Sequence, residues 1–218
     1  MAKPLIEVAL FPIPSMVAFP GTIVPLHVFE PRYRQMVTDA VEQGRMIAVC
    51  HTKKEIRPAR DGQSMQDALK NNQATYQPFG VFSAGTCEII EKTDDGRVYI
   101  HISISKRLQL VNEVQTLPYR IVACSELEDV HEIVSDDELK QFQKSITDSI
   151  VDMIGRHNPA HLSEFDSAEW LKLSPAEFSF KVFQLVRFEA DTMQSILEET
   201  SNLERLKMVD SLVHPREI

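Results

Sequence analysis

Apolar residues follow two rhythms along this chain, and the change between them comes near residue 130. Upstream, short apolar runs are separated by turn-forming residues. LIEVALF (5–11), TIVPLHVF (22–29), RMIAVCH (45–51), GTCEIIE (85–91), RVYIHISI (97–104) and YRIVACSEL (119–127) each predict a strand. Asp95-Gly96 predicts a tight hairpin between the fourth and fifth of them, because Gly accepts positive φ. Pro25 has no N–H to donate, so its strand is expected at an edge or a bulge. One helix interrupts this half, near 31–43. Pro31 suits the first turn, Tyr33, Met36, Val37, Ala40 and Val41 make an apolar stripe, and Gly44 supplies a left-handed stop. Residues 52–78 are polar and weakly periodic and predict a long surface loop.

Downstream the period is helical. Ser135 with Glu138 forms a capping-box pattern, followed by Leu139, Phe142, Ile146, Ile150 and Ile154 on one face. Ser174-Pro175-Ala176-Glu177 starts a helix carrying Phe178, Val182, Leu185 and Val186. TMQSILEE (192–199) continues the helical pattern, and Ser201 with Glu204 opens a last helix bearing Leu203, Leu206 and Val209. The expected architecture is α+β, with a β-rich domain over 1–130 and a helical bundle over 131–218.

With 218 residues, 43% of them hydrophobic, the chain can bury a core without disulfides or metal. A net charge of −9 disfavours a nucleic-acid partner, since phosphate neutralisation needs clustered Lys and Arg. Lys53, Lys54, Arg57 and Arg60 are the residues from which a basic stripe could be built. Cys50, Cys87 and Cys124 form no C-x-x-C pair and read as reduced, buried thiols in a reducing compartment. Early prolines exclude a signal-peptide helix, and no run approaches the length of a membrane span. A cytoplasmic protein with no membrane association is expected.

Catalytic motifs are sparse. The chain has no G-x-x-x-x-G-K-[ST], no G-x-S-x-G and no H-E-x-x-H. His157 and His161 have ligand spacing, but Asn158-Pro159 between them breaks helical geometry, so solvated loop histidines are the simpler reading. Asp94-Asp95 and Asp136-Asp137 read as a turn and a helix start rather than as paired catalytic acids. No metal or cofactor is expected. The Arg32-Tyr33-Arg34 triplet could take an acidic ligand, against the simpler reading of arginines that are solvated or paired with nearby Glu30.

FPGTIVPLHVFEPRYRQM (19–36) resembles the opening motif of the Lon substrate-binding domain family. LFPIP (10–14), Val17-Ala18-Phe19-Pro20-Gly21 and Pro25 through Arg34 match it in turn. Further matches are Gly85-Thr86-Cys87-Glu88-Ile89, Asp95-Gly96-Arg97, and Gln194, Ile196, Leu197, Glu198, Glu199, Arg205 and Leu206. In the third strand motif, Ser105 and Leu108 stand where the family has Gly and Phe, and Arg107 is retained.

This resemblance implies a PUA-like β-barrel followed by a helical bundle. The ATPase and Ser-Lys peptidase modules of Lon proteases have no counterpart before Ile218, so a non-catalytic recognition module is expected rather than an enzyme. Its partners would be unfolded or flexible polypeptide segments, held at a strand edge or in a cleft between barrel and bundle, or else a protease that it serves as an adaptor. Phe29, Tyr33, Arg34 and Arg107 are the candidate peptide-binding residues. An RNA-binding PUA-like module and a small-molecule protein or hydrolase with an unrecognised pocket are the alternatives.

Overall fold

The computed structural model describes residues 3–58, 69, 71–157 and 165–214. It divides into two compact units, Met1–Leu127 with Glu189–Leu197, and Glu128–Phe188 with Glu198–Ile218.

The first unit holds eight strands and two helices among the described residues. These are β1 (Ile6–Pro12), β2 (Ile23–Val28), α1 (Pro31–Gln43), β3 (Ile47–Cys50), β4 (Thr52–Arg57), β5 (Thr75–Pro78), β6 (Val81–Lys92), β7 (Val98–Gln115) and β8 (Ile121–Glu126), joined by a helix from the C-terminal half described below. Six strands form one sheet in the order β2-β7-β6-β3-β1-β8. β7 is long enough to pair with β2 and β6 through Val98–Ser103 and with β8 from Leu108 onward, so the sheet closes on itself as a barrel. β2, with Pro25 opposite His101, pairs with β7 alone among the described residues, as expected of a strand carrying a proline.

The apolar run of β1 is continuous because both of its faces are covered. Ala9 and Phe11 join Ile47, Val49, Ile100 and Ile102 in a core shared with Met36, Val37 and Ala40 of α1. Val8 and Leu10 face the other way, into a second core with Ala48, Cys50, Phe82, Leu108 and Cys124. Val41, placed in the α1 stripe by its spacing, is 42% exposed. Gly44 ends the helix at φ 64, and Gly96 turns the β6–β7 hairpin at φ 85. In that turn Arg97 and Thr93 donate to Asp95, which holds the carboxyl down at about 2.

The pairing of β6 with β7 skips Ser105 between Ala84 and Gly85. A Cβ on Gly85 would lie 1.9 Å from the Ser103 carbonyl oxygen. The bulge is therefore accommodated by Gly85, with Ser105 as the extra residue on β7.

Residues 52–78 depart from the expected loop, because β4 and β5 pair as an antiparallel ribbon at the two ends of the segment. Their side chains are mostly exposed, and without a buried face the ribbon leaves no alternation for sequence to show.

The second unit contains α2 (Asp136–His157), α3 (Ser167–Trp170), α4 (Pro175–Lys181) and α6 (Asn202–Val213). Ser135 caps α2, and Asp136 and Asp137 lie in its first turn, where the helix dipole favours acids. Ser174 and Glu177 complete the predicted capping box. Ser201 accepts from Glu204 N–H to cap α6. The helix begun at Pro175 is shorter than its spacing predicts. It tightens to a 3-10 turn at Val182–Gln184 and leaves Leu185 exposed. Arg205 is fully buried and spends its guanidinium on Asp129, Ser179, Asn202 and the Glu199 carbonyl.

α5 (Ala190–Glu198) is grouped with the helical half by periodicity, yet residues 189–197 belong to the first unit. Gln194 donates to the Val81 carbonyl at 2.9 Å, and Arg107 donates to the Leu197 carbonyl at 2.9 Å. Asp191 meets His51 at 3.2 Å. His51 accepts the Ser15 N–H at Nδ1, so its proton is on Nε2, facing Asp191.

Candidate functional site

The opening motif builds a cleft. Phe11-Pro12-Ile13-Pro14 leaves β1 in an extended, proline-stiffened course and then turns at Ser15, which has φ 58. β2 ends in Val28-Phe29, and Pro31 starts α1 so that Tyr33 falls in its first turn. Between these pieces lies a cleft of about 320 Å³ with Ile13, Pro14, Phe29 and Tyr33 on its walls and Glu30 and Tyr76 among its polar groups. Tyr33 is fixed against Phe11, with ring centroids 4.4 Å apart. Burial pushes the Tyr33 hydroxyl up to about 12, so this wall stays uncharged through the physiological range.

Glu30 is the cleft's acidic group. One oxygen, Oε2, accepts from Gln73 N–H at 2.9 Å and from Arg32 Nε at 3.0 Å. Burial still raises its pKa, outweighing those bonds and the Arg32 charge. Arg32 also donates to the Ala74 carbonyl at 2.7 Å and lies 4.6 Å from the Tyr33 ring. This ties residues 72–75 to the start of α1 and forms the far wall of the cleft.

A smaller space of about 140 Å³ adjoins the first and shares Pro12, Tyr33 and Tyr76 with it. Its polar lining includes Arg32, Thr75, Tyr119 and Arg120. Arg120 is paired to Glu113 through Nε and Nη2, and the Tyr119 hydroxyl donates to Asp39 at 2.8 Å.

Of the four sequence candidates, Phe29 and Tyr33 meet at the large cleft. Arg34 spans from α1 to two loops, donating to the Gly96 and Leu69 carbonyls at 3.0 and 2.8 Å. Arg107 is 5% exposed and donates to the carbonyls of Leu127 and Leu197. Both arginines hold backbone segments in place and neither lines the cleft. Sequence reasoning missed Ile13, Pro14 and Tyr76. LFPIP matches the family motif without marking Ile13 and Pro14 as cleft residues, and Tyr76 sits in a polar run with no period. Of the residues considered for chemistry, His161 and Arg60 lie outside the described residues, while Lys53, Lys54 and Arg57 are exposed on β4. Cys50, Cys87 and Cys124 are free thiols, raised to about 12, 11 and 12 mainly by burial. Among the described residues, no three His, Cys, Asp or Glu side chains are grouped to hold a metal, and no helix is long and apolar enough to cross a membrane.

The family model of the ATP-dependent protease La (LON) substrate-binding domain matches residues 7–214. The chain belongs to the Lon substrate-binding domain family. Its architecture agrees with solved members. The N-terminal domain of the Mycobacterium avium complex Lon protease superposes with a TM-score of 0.64 at 13% identity, covering 97% of this chain and all of that one. A Lon N-terminal domain protein from Xanthomonas campestris gives 0.59 at 18% identity, covering 93% of this chain and 96% of that one. Among full-length relatives, Lon protease 1 of Herpetosiphon aurantiacus is 21% identical over 95% of this chain, and the Lon protease of Cytophaga hutchinsonii is 24% identical over 69%. The aligned chain spans only 24% and 17% of those two proteins.

Proposed function

We propose that this Lon-type domain is a non-catalytic polypeptide-recognition module, and that the cleft walled by Phe29 and Tyr33 takes an apolar side chain from an unfolded or flexible segment. The observation that carries this reading is the cleft itself. It is open, largely apolar and built by the residues of the family motif. A folded protein keeps such side chains inside, so a site of this kind separates unfolded from native clients with little demand on sequence. β2 adds a second element, since its outer edge has no paired strand among the described residues and its last residues line the cleft. A bound segment can run beside β2 while one side chain enters the cleft. Delivery of such segments to a separate protease is the adaptor form of the same role.

The test is binding of immobilised protein to a permanently unfolded model protein, its native form and a single-stranded RNA. Selective capture of the unfolded form, weakened at least about fivefold by Phe29→Ala or Tyr76→Ser, is the expected result. Equal capture of native and unfolded forms, or undiminished binding by both variants, refutes the assignment. Preferential capture of the RNA transfers the function to nucleic acid.

A further inference from the structure

The two adjoining spaces differ in sign. The larger is apolar and has Glu30 as its charged lining residue, whereas the smaller has Arg32 and Arg120. Each guanidinium has a carboxylate partner on its Nε side, Glu30 and Glu113 respectively. Each is weakly engaged at Nη1. Arg32 Nη1 reaches Thr75 Oγ1 at 3.4 Å, and Arg120 Nη1 reaches the Tyr76 carbonyl at 3.5 Å, both beyond the usual 2.7–3.2 Å. These two under-used donors come from different elements and converge on consecutive residues of β5, both of which line the smaller space. Tyr33 and Tyr76 stand between this space and the apolar cleft as a shared wall.

We infer that the smaller space is a carboxylate subsite, so the recognised segment carries an apolar side chain next to an acidic group. The carboxylate comes either from an Asp or Glu side chain or from the C-terminus of a bound chain. Both present the same two oxygens to Arg32 and Arg120, and a guanidinium pair recognises that geometry through charge-assisted hydrogen bonds. The chain's net charge of −9 opposes acidic ligands at long range. At about 0.15 M salt, screening over roughly 8 Å removes most of that repulsion and leaves the local pair.

This inference rests on the apolar-cleft reading above, and one experiment separates the two. Labelled flexible decapeptides with a single Phe are titrated by fluorescence anisotropy, with Glu, Gln or Lys beside the Phe on either side. A further pair ends in Phe with a free or an amidated C-terminus. The expected order is Glu tighter than Gln by about fivefold to tenfold, and Lys weakest. A free-acid gain without a Glu gain assigns the subsite to chain ends, and the reverse assigns it to side chains. Arg120→Gln is expected to cut the Glu–Gln difference to about twofold or less, and Arg120→Lys to retain more of it. Circular dichroism confirms that both variants are folded. Equal affinity for the Glu and Gln peptides together with equal affinity for the two termini, or a preference undiminished by Arg120→Gln, overturns the inference while leaving the apolar reading intact. Failure of every Phe peptide to bind, or equal binding when Phe is replaced by Ser, overturns both.

Discussion

Replacing Arg205 is the most severe single test of the second unit. The side chain is fully buried, and its donors go to Ser179 Oγ (2.7 Å), both Asp129 oxygens (2.8 and 2.7 Å), the Glu199 carbonyl (2.8 Å) and Asn202 Oδ1 (2.6 Å). Its guanidinium also lies 4.2 Å from the Phe180 ring. Arg205→Met fills most of the volume but removes every one of these bonds, including the Arg205 ion pair to Asp129, whose side chain is 20% exposed. Breaking one side of such a pair costs about 3–5 kcal/mol, a large share of the ~5–15 kcal/mol that holds a typical domain. Arg205→Lys keeps the charge but offers three donors without the planar fork, and should recover less than half of the loss. The only Trp, Trp170, packs against Phe178 in this same unit, so urea unfolding followed by its fluorescence reads the right part of the molecule. Combining Arg205→Met with Asp129→Leu should cost at least about 1 kcal/mol less than the sum of the single changes, because both members of the ion pair are then removed together. A loss below about 1 kcal/mol in Arg205→Met, or simple additivity in the cycle, would show that the network contributes shape and little energy.

Other changes test the remaining elements. Gly85→Ala drives a methyl group into the Ser103 carbonyl and should cost several kcal/mol or prevent folding, whereas Ser105→Gly at the bulge should change the urea midpoint little. Ser174→Ala removes one half of a complete capping box and should lower the Trp170-monitored stability by about 1 kcal/mol. On the alkaline side, Cys50 and Cys124 are raised from 9.0 to about 12, so the folded state holds protons that the unfolded state releases. Their contribution is intact below about pH 9 and is lost as the pH rises towards 12. The urea midpoint should therefore fall across that window, and less steeply in Cys124→Ala. A flat profile would contradict the burial of these thiols.

Much of the first unit was legible because its punctuation is chemical. Pro25, Pro31, Gly44 and Gly96 each forbid some backbone states and demand others, so they mark an edge strand, a helix start, a helix stop and a hairpin from local sequence alone. The β4–β5 ribbon was not legible. Lys53, Lys54 and Glu55 pack against no core, and pairing across such an interval leaves no local trace. Arg205 was named only as a family match, and its burial was not legible for the opposite reason. A charge on an amphipathic helix gives no local sign of being buried, and this one is held by Asp129, 76 positions earlier. The site divides in the same way. Phe29 and Tyr33 were named through the family resemblance of the stretch around Pro31, whereas Tyr76 reaches the cleft only because β5 folds back beside α1.

The placement of α5 has a consequence for how the molecule is made. The barrel strands are complete at Glu126, but the helix that donates and accepts across Val81, Arg107 and His51 is encoded roughly 70 residues later. At about 5–20 residues per second a ribosome needs several seconds to cover that interval. For that time the nascent first unit exists without Met193, Ile196 and Leu197, three side chains that are buried in the finished molecule. Synthesis order and folding order are thus offset, and the barrel's last docking step waits for a stretch of chain that lies beyond most of the second unit.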